Sequence, residues 1–205
     1  MTYTLGPDDL VLVRHAPILT PGVLCGQTDV GAIIPSGESL KGLRAVLRHA
    51  QARVSSPALR CRQTAAAIWD EGGFAIGEAS LLEQSFGRWE GLSYGDIPDI
   101  GPLSGDALAQ HAAPGGESFA DVCDRAAPVL RALADARPGP TVAVVHAGIV
   151  RACLALAIGS HAPALRFEVD CLSLTRFQRA SDGTLIVRDV NTRLSSFGLP
   201  EVSMT

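Results

Sequence analysis

Two short apolar runs constrain this chain most: Leu10-Val11-Leu12-Val13 and Thr141-Val142-Ala143-Val144-Val145. Neither alternates apolar with polar residues, so neither suits a strand with one face in water. Both read as strands covered on two faces, the environment of a parallel sheet between helix layers. Each run ends in the same way. The first passes into Arg14-His15, the second into His146-Ala147-Gly148. In open α/β sheets ligands bind beyond the carboxyl ends of the strands, so two strands deliver a histidine to the rim where a site is expected.

Helical periodicity fills the space between. Ser39–Ala50 repeats Leu40, Leu43 and Leu47, and Ala58–Trp69 is alanine-rich and free of Gly and Pro. Ser118–Asp135 opens with Ser118 and Asp121 in capping-box spacing and aligns Val122, Ala126, Val129 and Leu133 on one face. Pro128 is expected to kink or thin one turn of it. Ile149–Ile158 continues directly from the second strand. Cys171–Phe177 and Thr184–Val190 are strand-like, with Ser181-Asp182-Gly183 supplying turn chemistry for an antiparallel hairpin at the sheet edge. Strands alternating with helices give an α/β, three-layer sandwich around a mostly parallel sheet. The 205 residues fit one domain at about 150 residues each, with its core over about 9–190. Residues 93–116 form a long Gly- and Pro-rich insertion of the kind that serves as a lid, and the tail after Arg193 is expected to fray.

Composition narrows the function classes. Seventeen basic against 21 acidic residues leave a net charge of −4, which disfavours nucleic acid and acidic membrane surfaces as partners. The five cysteines have wide spacings and no C-x-x-C. That argues for buried thiols in a reducing, cytoplasmic setting rather than a disulfide or zinc framework. Residues 1–9 lack the basic and apolar regions of a signal peptide. The apolar stretch Ala152–Ile158 is far short of the ~20 residues a membrane span needs.

Two further blocks add chemistry. Ser56-Pro57-Ala58-Leu59-Arg60-Cys61-Arg62-Gln63-Thr64-Ala65 places arginines in the first turns of a helix whose N-terminal N–H groups favour an anion. Leu82-Glu83-Gln84-Ser85-Phe86-Gly87-Arg88-Trp89-Glu90-Gly91 offers two carboxylates among aromatics and glycines, either of which suits a proton-transfer role. Taken in order, Arg14-His15, Ser56…Arg60…Thr64-Ala65, Leu82-Glu83…Trp89-Glu90-Gly91 and Val145-His146-Ala147-Gly148 resemble the histidine phosphatase superfamily, the phosphoglycerate-mutase-like group. The resemblance covers about residues 9–190. Two positions depart from its usual pattern: Ala16-Pro17 stands where Gly-Glu is common, and Ala147 where Gly is frequent. Neither removes a catalytic side chain.

The resemblance implies a metal-independent phosphomonoesterase without cofactor. His15 attacks phosphorus and becomes a phosphohistidine, with its other ring nitrogen donating to a backbone carbonyl. Arg14, Arg60 and a protonated His146 stabilise phosphate charge, and Arg suits this through its planar fork. Glu83 protonates the leaving alkoxide. Glu90 is the rival carboxylate, Arg62 the rival phosphate ligand, and His111 in the insertion a candidate substrate contact. Residues 93–116 hold no Lys or Arg, which favours hydrolysis of a small phosphorylated metabolite over mutase chemistry. Pro21-Gly22-Val23-Leu24-Cys25-Gly26-Gln27-Thr28-Asp29 and Pro114-Gly115-Gly116-Glu117-Ser118 look like segments of α-ribazole-phosphate phosphatases, which makes α-ribazole 5′-phosphate the leading named substrate, and a homodimer is a further family-level expectation. Three alternatives stand beside this reading. One is mutase-type phosphoryl transfer. Another is a phosphate-binding module without catalysis. The third is a two-His, one-carboxylate metal site at His15, His146 and Glu83, which Arg14 and Arg60 oppose electrostatically.

Overall fold

The structure is a computed structural model that describes residues 3–37 and 39–194. The first apolar run forms β1 (Asp9–Arg14). It is followed by α1 (Lys41–Leu47), β2 (Ala52–Ser55), α2 (Leu59–Trp69) and β3 (Ala75–Ile76). After three short 3₁₀ turns come α3 (Gly105–Gln110), α4 (Phe119–Asp135), β4 (Thr141–Val145), α5 (Ala147–Ile158), α6 (His161–Ala164), β5 (Leu174–Arg179) and β6 (Leu185–Thr192).

One six-stranded sheet runs β3-β2-β4-β1-β5-β6. The two apolar runs are its central neighbours. They pair in parallel from Leu10 opposite Thr141 to Arg14 opposite Val145, so both strands finish side by side at the same end of the sheet. β2 and β3 extend the parallel part, and β5 and β6 add an antiparallel hairpin against β1. Strand pleating sends alternate residues to opposite faces. Leu10, Leu12, Ala143 and Val145 therefore pack under α4 and α5, while Val11, Val13, Val142 and Val144 pack under α1 and α2. This two-sided burial explains why neither run alternates in polarity.

The capping box at the start of α4 is complete. Asp121 N–H donates to Ser118 Oγ at 3.1 Å, and Ser118 N–H returns a bond to Asp121 Oδ2 at 2.9 Å. Pro128 does not interrupt α4. It sits on the exposed face, where water can serve the carbonyl that lacks an intrahelical donor. α1 is shorter than its periodicity predicts. The insertion at 93–116 carries α3, which packs against α4 and α6 and buries Ala109 in the core, so the segment is docked rather than open coil. The tail after Arg193 lies, but for Leu194, outside the described residues. Among the described residues no helix is long and apolar enough to cross a membrane.

Candidate active site

Parallel pairing of β1 with β4 determines where the histidines meet. His15 N–H donates to Val145 C=O at 2.9 Å, continuing the ladder past the strand end. His146 is the N-cap of α5. The imidazoles lie edge to face, centroids 5.2 Å apart at 66°, and both are buried. His15 Nδ1 is 2.7 Å from Ala16 C=O. A carbonyl only accepts, so Nδ1 carries the proton and Nε2 keeps a free lone pair. Thr64 fixes the residue behind the ring, since Thr64 Oγ1 accepts from Ala16 N–H at 2.9 Å and donates to Arg60 C=O at 2.7 Å. His146 Nε2 is 2.9 Å from Ser56 Oγ and 3.4 Å from Cys61 Sγ.

Arg60 points inward from α2. Its guanidinium donates to Gly26 C=O at 2.6 Å and Thr28 C=O at 3.1 Å, and it is buried. Arg62, two residues on, faces solvent. Arg14 Nη1 donates to Val169 C=O at 2.6 Å, and its buried Nε meets no protein acceptor. The α2 N-terminus does bind an anion, but it is the chain's own. Leu59 N–H donates to Asp29 Oδ1 at 2.6 Å, so one N–H of this helix end is already taken.

Glu83 reaches the histidine edge from the 3₁₀-rich loop after β3. Its Oε1 accepts from Gly148 N–H at 3.0 Å, two residues past His146, and from Gln84 N–H at 3.0 Å. The approach requires glycine at 148, because a Cβ there would run into Glu83 Oε1. Glu90 does different work. Its carboxylate accepts from Gln27 N–H, Phe86 N–H, Thr28 N–H and Thr28 Oγ1–H. Burial pushes its carboxyl up, but these bonds, Thr28 Oγ1 foremost, hold it below the usual carboxylate range. Glu90 thus braces the loop whose carbonyls hold Arg60. Gly26 sits at φ +51° in that loop, and a Cβ would strike Glu90. His111 stacks on Trp89 at 5.7 Å, and no bond joins it to the histidine pair.

Burial and neighbouring charge shift the proton affinity of both rings. Burial, then Arg60 and Arg14, lowers His15 to about 3 despite the Ala16 bond. Burial and Arg60, with smaller contributions from His15, Arg125 and Arg14, hold His146 well below the ordinary histidine range. Both shifts favour the neutral imidazole. Burial and nearby guanidinium charge both disfavour the charged form of an imidazole. Among the described residues no three His, Cys, Asp or Glu side chains are arranged to hold a metal ion.

Two residues absent from the sequence-based set complete the surroundings. Arg125 of α4 pairs with Glu117 at 2.6 Å and donates to the carbonyls of Ser80, Leu82 and Glu83. Glu117 lies within the Pro-Gly-Gly-Glu-Ser segment. Arg125 leaves no local signal, because its partners are mostly backbone carbonyls distant in sequence.

The arrangement of one free imidazole nitrogen, a second imidazole, two guanidinium groups and a carboxylate can bind and transfer a phosphoryl group. A glucosyl-3-phosphoglycerate phosphatase from Mycolicibacterium vanbaalenii is 31% identical over 118 residues, 52% of this chain and 52% of that protein. The chain spans about half the length of that relative and 32% of three further mycobacterial ones. The native structure of a mycobacterial glucosyl-3-phosphoglycerate phosphatase aligns with TM-score 0.75 at 25% identity, over 89% of this chain and 98% of that one. A putative α-ribazole-5′-phosphate phosphatase from Escherichia coli aligns with TM-score 0.74 over 93% of this chain and 98% of that one; at 21% identity it shows the shared fold. The profile of the histidine phosphatase superfamily, branch 1, matches residues 10–192, and the chain belongs to that superfamily.

Proposed function

We propose that the chain hydrolyses a small phosphomonoester through a phosphohistidine at His15, without metal or cofactor. One observation carries the reading: the buried His15 ring is held by Nδ1–H on Ala16 C=O, with Nε2 unprotonated beside His146. Nε2 attacks phosphorus as the ester P–O bond breaks. Glu83, protonated for this step, gives its proton to the departing alkoxide oxygen. In the second half Glu83 takes a proton from water as that water attacks phosphorus, which releases phosphate and restores His15. Arg14, Arg60 and a donor N–H of His146 hold the non-bridging oxygens. Fixed donors of this kind stabilise developing charge without reorganising.

The absence of Lys and Arg from residues 93–116 favours hydrolysis over mutase chemistry, because a second phosphate has no cation there. Two substrates lead. α-Ribazole 5′-phosphate is favoured by the motif resemblance, and glucosyl-3-phosphoglycerate by the mycobacterial relative. Five free thiols fit a reducing, cytoplasmic setting. The test is turnover of p-nitrophenyl phosphate with and without EDTA, followed by a panel of metabolite monophosphates containing both candidates. The expected result is EDTA-resistant turnover that His15→Ala abolishes. Loss with EDTA would point to a metal, and no turnover at any pH to a binding module.

A further inference from the structure

Arg125 carries more bonds toward the Glu83 loop than a helix surface residue needs. Its Nη1 donates to Ser80 C=O at 2.8 Å, and Nη2 to Leu82 C=O at 3.0 Å and Glu83 C=O at 2.9 Å. Its Nε and Nη2 reach the two oxygens of Glu117 at 2.6 and 3.1 Å. Glu117 then closes the loop from the other side. Its Oε2 accepts from Ser85 N–H at 2.9 Å and from Gln27 Nε2 at 3.4 Å, and its C=O accepts from Gln84 Nε2 at 2.7 Å. Gln27 Nε2 also donates to Glu83 C=O at 3.0 Å, while Gln27 N–H is held by Glu90. The backbone on both sides of Glu83 is thus tied to one ion pair, and Gln27 links that pair to the loop that holds Arg60.

We propose that Arg125 and Glu117 are positioning residues for the Glu83 carboxyl, setting how well it delivers a proton to the leaving group. This rests on Glu83 as the acid of the reaction above. It also reassigns two motifs. Gly26-Gln27-Thr28 and Gly116-Glu117-Ser118 then hold catalytic groups in place. A planar guanidinium meets several carbonyls and a carboxylate at once, and small displacements of a catalytic group are costly in rate, up to ~10²-fold for about 1 Å.

The test separates positioning from general bracing by leaving group. p-Nitrophenolate departs with little help from an acid, whereas an alkoxide needs a proton. The kcat ratio of p-nitrophenyl phosphate to a simple alkyl phosphate is measured for the wild type, Glu83→Gln, Arg125→Gln, Arg125→Lys and Glu117→Gln, with melting curves for each. Glu83→Gln is expected to raise the ratio roughly 10²-fold or more. Arg125→Gln and Glu117→Gln should each raise it about tenfold, within the range of a sub-ångström shift, with KM little changed. Arg125→Lys should fall between, keeping the charge without the fork. Near-isosteric Glu117→Gln reads the same ratio where Arg125→Gln does not fold. If the Arg125 and Glu117 variants slow both substrates by one factor while Glu83→Gln raises the ratio, the positioning role is wrong and the acid stands. If Glu83→Gln itself leaves the ratio unchanged, the acid assignment falls, and this proposal with it.

Discussion

At the scale of single residues, the arginines of α2 show how spacing becomes chemistry. Residues four apart share a helix face, while those two apart point to nearly opposite sides. Arg60 therefore shares a face with Thr64, which supports His15 through Ala16, and Arg62 points into solvent. Arg60→Ala is expected to raise KM and lower kcat together, because phosphate is held in both ground and transition states. Arg62→Ala should stay within about twofold, as exposed substitutions usually do. Steady-state kinetics on p-nitrophenyl phosphate decide the matter, and an effect confined to Arg62→Ala would exchange their roles. The family resemblance was enough to nominate Arg14, His15, Arg60, Glu83 and His146. The lowered proton affinity of His146 was not legible, because it depends on complete burial and on guanidinium groups that only the fold brings near. Arg125 was hidden for a related reason: carbonyl partners have no side-chain signature.

At the scale of elements, legibility followed length and burial. β1, β4 and α4 announce themselves through unbroken or periodic apolar residues. β3 is two exposed residues and α6 four, too short to carry a period, and they form because neighbouring elements supply their partners. Two substitutions test element ends. Ser118→Ala removes the capping-box acceptor of α4 and should cost about 1 kcal/mol, lowering Tm by roughly 2–4 °C for a domain of this size. An unchanged Tm would mean the cap contributes nothing. Gly148→Ala, in the first turn of α5, should leave Tm nearly intact but displace Glu83. Alkyl phosphate turnover should fall at least about tenfold, and retention would mean that the close approach of Glu83 to Gly148 is dispensable.

At the scale of the whole molecule, the neutral histidine pair couples stability to pH. The ordinary histidine value is 6.5, and His15 is lowered to about 3 with His146 also well below. Below pH 6.5 the unfolded chain takes up protons that the folded chain refuses, so stability is present at neutral pH and is lost as pH falls toward 3. Each imidazole contributes a slope of up to about 1.4 kcal/mol per pH unit. Melting curves at pH 7.5 and pH 5 should show a lower Tm at pH 5, with a shallower decline in His15→Ala; equal slopes would mean His15 titrates normally when folded. The fold serves this arrangement by burying both rings where two central parallel strands end, with guanidinium groups around them. The most direct measurement of the chemistry is rapid quench of the enzyme with a ³²P-labelled phosphomonoester, followed by peptide mapping. A label that is stable to alkali, labile to acid and borne on the peptide containing His15 is expected, and it should vanish in His15→Ala. Turnover with no labelled enzyme at any quench time, or a label that persists without His15, would contradict a phosphohistidine route.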